Sequence, residues 1–366
     1  MKGLFTALAL VLALGAFAAG GAIGADDGNV VGAAYTISNA ASGNELVVYT
    51  RAADGSLTPA GAVSAGGLGS GGGLASQGAV TLTGDGHTVL AVNPGSSSVA
   101  AFAVGHDGPR LLNTAPSGGS RPVSVAVHGG IVYVLNKDNA APATVSGFTL
   151  GSAGLAPIAG STRQLSPGAT DAAQVRFTPD GDTLVVTGRS SNHIDTFLVG
   201  PDGRLGSLTS FDVAPAGTPF GFDFDNKGHL LVSLAGVSAS SGAASYNVAA
   251  DGSLSTITSP IASGQQAACW LVVSKSGRFA FVANAASASV STYAVSPDGS
   301  LAYRGSVSVP GMTPLDLALG ESGRYLYVLA AGSHGIVELA VGDDGTLTPL
   351  GAESAVPSAA AGLAAR

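Results

Sequence analysis

A single cysteine, Cys269, stands in a chain of 366 residues. No intrachain disulfide can form, and no metal site built on several cysteines is available. Charge is scarce as well: Asp, Glu, Lys and Arg make up only 10% of the chain, and acids outnumber bases 23 to 15. That balance argues against nucleic acid or an anionic membrane surface as a partner. No serine has glycine at both the −2 and +2 positions, so the strained turn that presents a hydrolase nucleophile is missing. Gly67, Gly69 and Gly72 have the spacing of a dinucleotide fingerprint, but they lie in a Gly-Ser loop rather than a strand–helix unit. Asp223-Phe224-Asp225-Asn226-Lys227-Gly228 resembles the front of a calcium loop, yet Leu234 stands where the closing Glu belongs. No metal and no cofactor is expected.

Glycine and small or branched apolar residues are plentiful: 55 glycines, and 46% of the chain hydrophobic. Many of the glycines fall in register. Tight turns recur at Asp54-Gly55, Asp107-Gly108, Ala153-Gly154, Asp202-Gly203, Asp251-Gly252, Asp298-Gly299 and Asp344-Gly345. Six positions before each turn glycine stands Tyr49, Phe102, Phe148, Phe197, Tyr246, Tyr293 or Leu339. The period of about 48 residues suits one four-stranded blade per repeat, so the chain reads as an all-β, seven-bladed β-propeller.

Apolar runs such as Val89 to Asn93, Val132 to Asn136 and Leu184 to Gly188 read as second strands buried on both faces. Asn39, Asn93, Asn136 and Asn284 end four of them, in a structural role. Inner strands precede turns at Gly86, Gly129, Gly181, Gly228, Gly277 and Gly323, which is six for seven repeats. The missing one is expected from Ala361 to Ala365, so that the C-terminal strand closes the ring. Residues 26–366 are then one propeller. Residues 1–25, with Lys2, an apolar run to Phe17 and small residues beyond, have the layout of a cleaved secretory signal, too short to span a bilayer comfortably. An extracytoplasmic, monomeric protein with no membrane span in its mature chain is expected.

Chain direction places the inner-strand starts and the loops between second and third strands on one face. Gln77, Arg121, Gln174, Trp270 and Asp316 begin inner strands there, with Asp171 just before one. The loops add Lys137, Asp138, Asn139, Arg189, Asn192, His193 and His334. Polar groups around a channel mouth with one aromatic wall suit a small molecule. Asp316, Asp171 or His334 could activate water, and Arg121 with Gln174 could hold an oxyanion. Gln77, Trp270, Arg189 and His193 are the expected substrate contacts. His87, His106, His128 and His229 fall at the turns of the other face and read as solvated. Cys269 reads as a small buried apolar residue.

The strands Ile131-Val132-Tyr133-Val134-Leu135-Asn136 and Tyr325-Leu326-Tyr327-Val328-Leu329, and the turn Thr178-Pro179-Asp180-Gly181, resemble those of the lactonase-like propellers. That group includes bacterial 6-phosphogluconolactonases and carboxymuconate-cyclising enzymes. Tyr133 to Asn136 also resembles surface-layer repeats named for a Tyr-Val-Thr-Asn strand. The resemblance implies opening of a small lactone or related ring ester, by a His, an acid and an Arg near the mouth. The inner-strand starts supply Arg121 and Asp316 but no His or Glu. Against a phosphorylated sugar lactone stand the export segment and the absence of an evident Arg and Lys cluster. The alternative is a non-catalytic propeller that binds a small ligand or a protein partner.

Overall fold

The computed structural model describes residues 30–137, 141–213, 217–236, 241–309 and 313–366; the expected signal segment, Asp138 and Asn139 lie outside them. The described residues hold no helix. Their strands form seven antiparallel sheets around a ring, numbered here as blades one to seven from the N-terminal side. The second strands of blades one to seven are Val30–Ile37, Thr88–Asn93, Ile131–Asn136, Thr183–Gly188, Leu230–Ala235, Phe279–Asn284 and Tyr325–Ala330. The inner strands of blades two to seven are Val80–Leu82, Pro122–His128, Ala172–Phe177, Thr218–Phe224, Ala268–Val273 and Pro314–Leu319. Blade one takes its inner strand from Ala361–Ala365, which pairs antiparallel with Val30–Ile37. The ring closes as expected. Blade three alone has a divided outer strand, Gly154–Pro157 and Arg163–Gln164.

Burial falls from the channel outward, as the strand compositions require. Thr183–Gly188 is buried throughout, whereas the outer strand Leu347–Glu353 has no buried residue. The repeated aromatic and leucine column fills the wedges between blades, and none of its seven members is more than 3% exposed. Burial of such side chains contributes roughly 1.5–3 kcal/mol each. Two of its tyrosines also reach neighbouring backbone: Tyr49 Oη donates to Ala355 O at 2.9 Å and Tyr293 Oη to Ile261 O at 3.1 Å.

All seven turn glycines have φ between +74° and +104°, a region costly to any residue with a Cβ. In four of these turns the aspartate accepts from the backbone N–H and the hydroxyl two residues on, as Asp54 does from Ser56. Of the four strand-ending asparagines only Asn39 is left-handed, at φ +50°. The others are buried and donate locally, Asn93 to Ala65 O, Asn136 to Ser117 O and Asn284 to Ser291 Oγ.

Candidate functional site

In blades three to seven the pairing of inner with second strand slips near the start, after Pro122, Ala172, Pro219, Ala268 and Pro314. Such bulges bend a strand and re-aim its next side chains. Ser124, Gln174, Trp270 and Asp316 thereby take equivalent places on the channel wall.

Blade two behaves differently. Its inner strand has only three residues, because the chain before it runs across the channel. Gln77 N donates to Ala173 O of blade four at 3.0 Å. The Gln77 amide clamps Leu271 of blade six at two points, Nε2 to the carbonyl at 2.7 Å and Oε1 from the N–H at 3.0 Å. Trp270 Nε1 donates to Ser76 O, and Ser76 Oγ to Val123 O of blade three, both at 2.8 Å. Gln174 makes the same two-point clamp on Phe222. The polar atoms of Gln77, Gln174 and Trp270 are thus engaged with backbone.

Asp316 is 2% exposed on the wall of blade seven. Its Oδ1 accepts from Leu317 N at 2.8 Å, the N–H groups of Gly78 and Leu363 lie beside it, and Oδ2 has no partner in bonding geometry. Burial dominates and pushes its carboxyl up to about 8. Burial likewise pushes the Cys269 thiol up to about 12, which leaves it without a nucleophilic thiolate at neutral pH.

The charged groups gather on blades three and four. Asp171, its side chain 33% exposed, forms ion pairs with Lys137 and, at 3.3 Å, with Arg189 Nη1. Its main chain is fixed by the same loop: Asp171 O accepts from Arg189 N at 2.8 Å, and Asp171 N donates to Ser190 Oγ at 3.0 Å. Lys137, whose side chain is only 6% exposed, also donates to Leu74 O at 3.4 Å, and Arg189 Nη1 donates to Ala75 O at 3.3 Å. The Arg189 guanidinium lies 4.8 Å over the Phe220 ring, which packs 4.9 Å from Trp270. Arg121 stands beside Lys137, accepts its N–H and is held at φ +49°. Burial, opposed by Asp171 and helped by Arg189 and Arg121, lowers the Lys137 ammonium below the ordinary lysine range. Two cations pair with one carboxylate and the charge of Arg121 acts on Lys137 from beside them, a local excess that suits an anionic ligand.

Lys137 and Arg189, from segments the sequence keeps apart, meet on one aspartate. Asp171 uses both carboxylate oxygens in these two ion pairs. His193 begins the third strand after the Arg189 loop, with Nδ1 buried and without a partner. His334 is exposed on blade seven, across the ring from Asp171. Its φ of +50° matches Ser97, Asn192 and Ala288, which hold the same turn position in other blades. His229 is not solvated as expected, because its side chain is 15% exposed and Nδ1 lies 2.7 Å from Asp225 Oδ2. Asp223 instead pairs with Arg176, so the two aspartates of the calcium-like segment serve different partners. Two surface clefts lie on the opposite face. One, of about 370 Å³, includes His128, Phe177 and Asp180; the other, of about 310 Å³, includes Arg51, Glu321 and Arg324.

Lys137 and Phe220 were the partners that linear reading undervalued. A lysine directly after a buried strand, in a chain so poor in charge, is the signal that pointed to the first. Nothing in the sequence pointed to the second.

A closed ring of seven four-stranded antiparallel blades defines the class of seven-bladed β-propellers. The chain belongs to the lactonase family of seven-bladed β-propellers, whose model matches residues 157–269 and 252–361, more than half of its length. A crystal structure of a putative 6-phosphogluconolactonase from Bacteroides fragilis is similar, with a TM-score of 0.72 at 20% identity over 92% of this chain and 98% of that one. The periplasmic gluconolactonase of Pseudomonas aeruginosa is similar too, with a TM-score of 0.72 at 18% identity over 90% and 98%. A Lactobacillus plantarum protein gives 0.76 at 18% identity over 92% and 99%. At these identities the likeness is one of fold. No curated protein matches the chain in sequence.

Proposed function

We propose that this lactonase-like propeller is an exported hydrolase that opens a small ring ester at the mouth formed by blades three and four. The observation that carries the reading is the meeting of Lys137 and Arg189 on Asp171 with Arg121 beside Lys137, which gathers three of only 15 basic residues. Asp171 is partly exposed and fixed at both its carboxylate and its main chain, so it can take a proton from water without rearranging. The resulting hydroxide adds to the ring carbonyl, and the Arg189 guanidinium stabilises the developing oxyanion. The ring C–O bond then breaks and the leaving oxygen takes the proton from Asp171. One lactone and one water give one hydroxy acid. Arg121 would attract an anionic group on the substrate, and Phe220 offers apolar surface beside Arg189.

Removing an oxyanion donor typically costs about 10²–10³ in rate. Arg189→Ala and Asp171→Asn are expected to lower lactone turnover by that factor while both variants remain folded. Variants that keep full turnover would overturn the assignment of these residues. The engagement of Gln77, Gln174 and Trp270 with backbone favours a second reading, a propeller that binds an anion without reacting. Wild-type protein that turns over no lactone of any ring size, yet binds a small carboxylate or phosphate at Arg121, would establish it.

Export is supported by the Lys2-led apolar run, and a structural relative bears the name of a periplasmic gluconolactonase. Mass spectrometry of protein from the native cell is expected to find a mature N-terminus between Ile23 and Asp27. Full-length chain in the cytosol would refute export.

A further inference from the structure

The geometry points to the segment Leu74–Gly78 as a plug that closes the channel and positions the cation pair Lys137 and Arg189, with Gln77 as its anchor. Gln77 acts here as a positioning residue. The plug's polar groups divide into two sets. One set ties it to the ring: Gln77 N to blade four, the Gln77 amide to blade six, Trp270 Nε1 to Ser76 O, and Ser76 Oγ with Gly78 O to blade three. The other set meets the charged cluster: Leu74 O receives Lys137 Nζ, and Ala75 O receives Arg189 Nη1. No single blade could hold both sets, because the first spans the ring.

The backbone is adapted to this use. Ala75 is left-handed at φ +50°, a conformation that is costly to an alanine and persists only where surrounding bonds fix it. Gly78 follows at φ +79°. Gly221 of blade five must lack a side chain, since a Cβ there would run into Gln77 Oε1. The plug thus backs the charged cluster from the channel side. It also completes the surroundings of the Lys137 ammonium, which otherwise faces Asp171 and Arg189 from blade four and Arg121 from its own blade.

The test is the reactivity of Lys137 toward an acylating reagent, followed by peptide mass spectrometry across pH, with exposed Lys227 and Lys275 as internal references. Labelling needs no catalysis, and only the kinetic readout rests on the proposed reaction. In the wild type Lys137 should label slowly, with a pH profile below the ordinary lysine range. Gln77→Met keeps the side-chain volume but removes both clamps. Lys137 labelling should then rise at least about tenfold, the scale of losing a hydrogen bond to a charged group, and its profile should move up toward the ordinary range. Tyr293→Phe removes an interblade bond far from the channel, Tyr293 Oη to Ile261 O, and should change neither. If Gln77→Met does not fold, Trp270→Phe removes one tie and should shift labelling in the same direction. Unchanged labelling in the plug variants, or equal change in Tyr293→Phe, overturns the proposal. With lactone turnover in hand, Gln77→Met should raise KM more than it lowers kcat. A wild type without turnover removes the reaction, and the labelling difference between plug and control variants then decides the proposal alone.

Discussion

A chain truncated after Ala360 is expected not to fold into a stable ring. Ala361–Ala365 is the central strand of blade one, paired through Ala34 with Ala365, Tyr35 with Ala364 and Ile37 with Ala361. Ala33 and Arg366 exchange two further backbone bonds, at 3.2 and 2.9 Å, and Thr36 Oγ1 donates to Ala361 O. Leu363 and Ala364 are buried against neighbouring blades. Each backbone bond contributes roughly 1 kcal/mol, and the partners left behind inside the ring would stay buried with no replacement bond. Together these losses approach the about 5–15 kcal/mol that separates a folded domain from its unfolded chain. Truncated protein should lack a cooperative melt and elute as aggregate. Gly362→Val is a milder probe: φ is +72° and a Cβ would meet Val80 N at 2.6 Å. A truncated chain that melts cooperatively near the wild-type temperature would show that the ring does not depend on this strand.

Asp316→Asn should remove most of a strong loss of stability that develops as pH rises from about 4 to about 8. The sign follows from the direction of the shift. The folded chain holds the Asp316 proton up to about 8, while the unfolded chain releases it near the ordinary value of 3.8. Stability from this group is therefore full below the ordinary carboxylate value and falls as pH rises toward about 8. A shift of that size corresponds to on the order of 5 kcal/mol for a fully buried group. Asparagine resembles the protonated acid, so the variant should be more stable than wild type at pH 9 and nearly equal at pH 4. Turn carboxylates act in the opposite sense and only weakly, being exposed: hydrogen bonds hold Asp54, Asp251, Asp298 and Asp344 below their usual range, so their share is lost on acidification. Urea melts from pH 4 to 9 on both proteins measure the difference. Parallel curves would mean that Asp316 ionises without penalty in the folded ring.

Much of the architecture was legible because its causes are local and repeat. A turn glycine needs its left-handed backbone whatever surrounds it, and the column from Tyr49 to Leu339 marks one wedge per blade. Counting inner strands was enough to assign Ala361–Ala365 to blade one. The side-chain chemistry was less legible. Gln77 and Trp270 stood at the expected mouth, but their partners, Leu271 and Ser76, are 194 residues away in sequence. His334 was distinctive by residue type, while its place is an ordinary turn position in every comparable blade. His229 lay in a turn as expected and was nonetheless drawn under cover by Asp225.

The sequence by itself determined the repeat, the blade count and the closing strand, since turn geometry and strand burial depend on residues a few positions apart. Only the tertiary structure decided which charges meet. Lys137, Asp171 and Arg189 come from two blades, and Leu74 and Ala75 reach them from a third by crossing the channel. A cation's partner is set by distances through space, over which the order of residues along the chain has no direct hold.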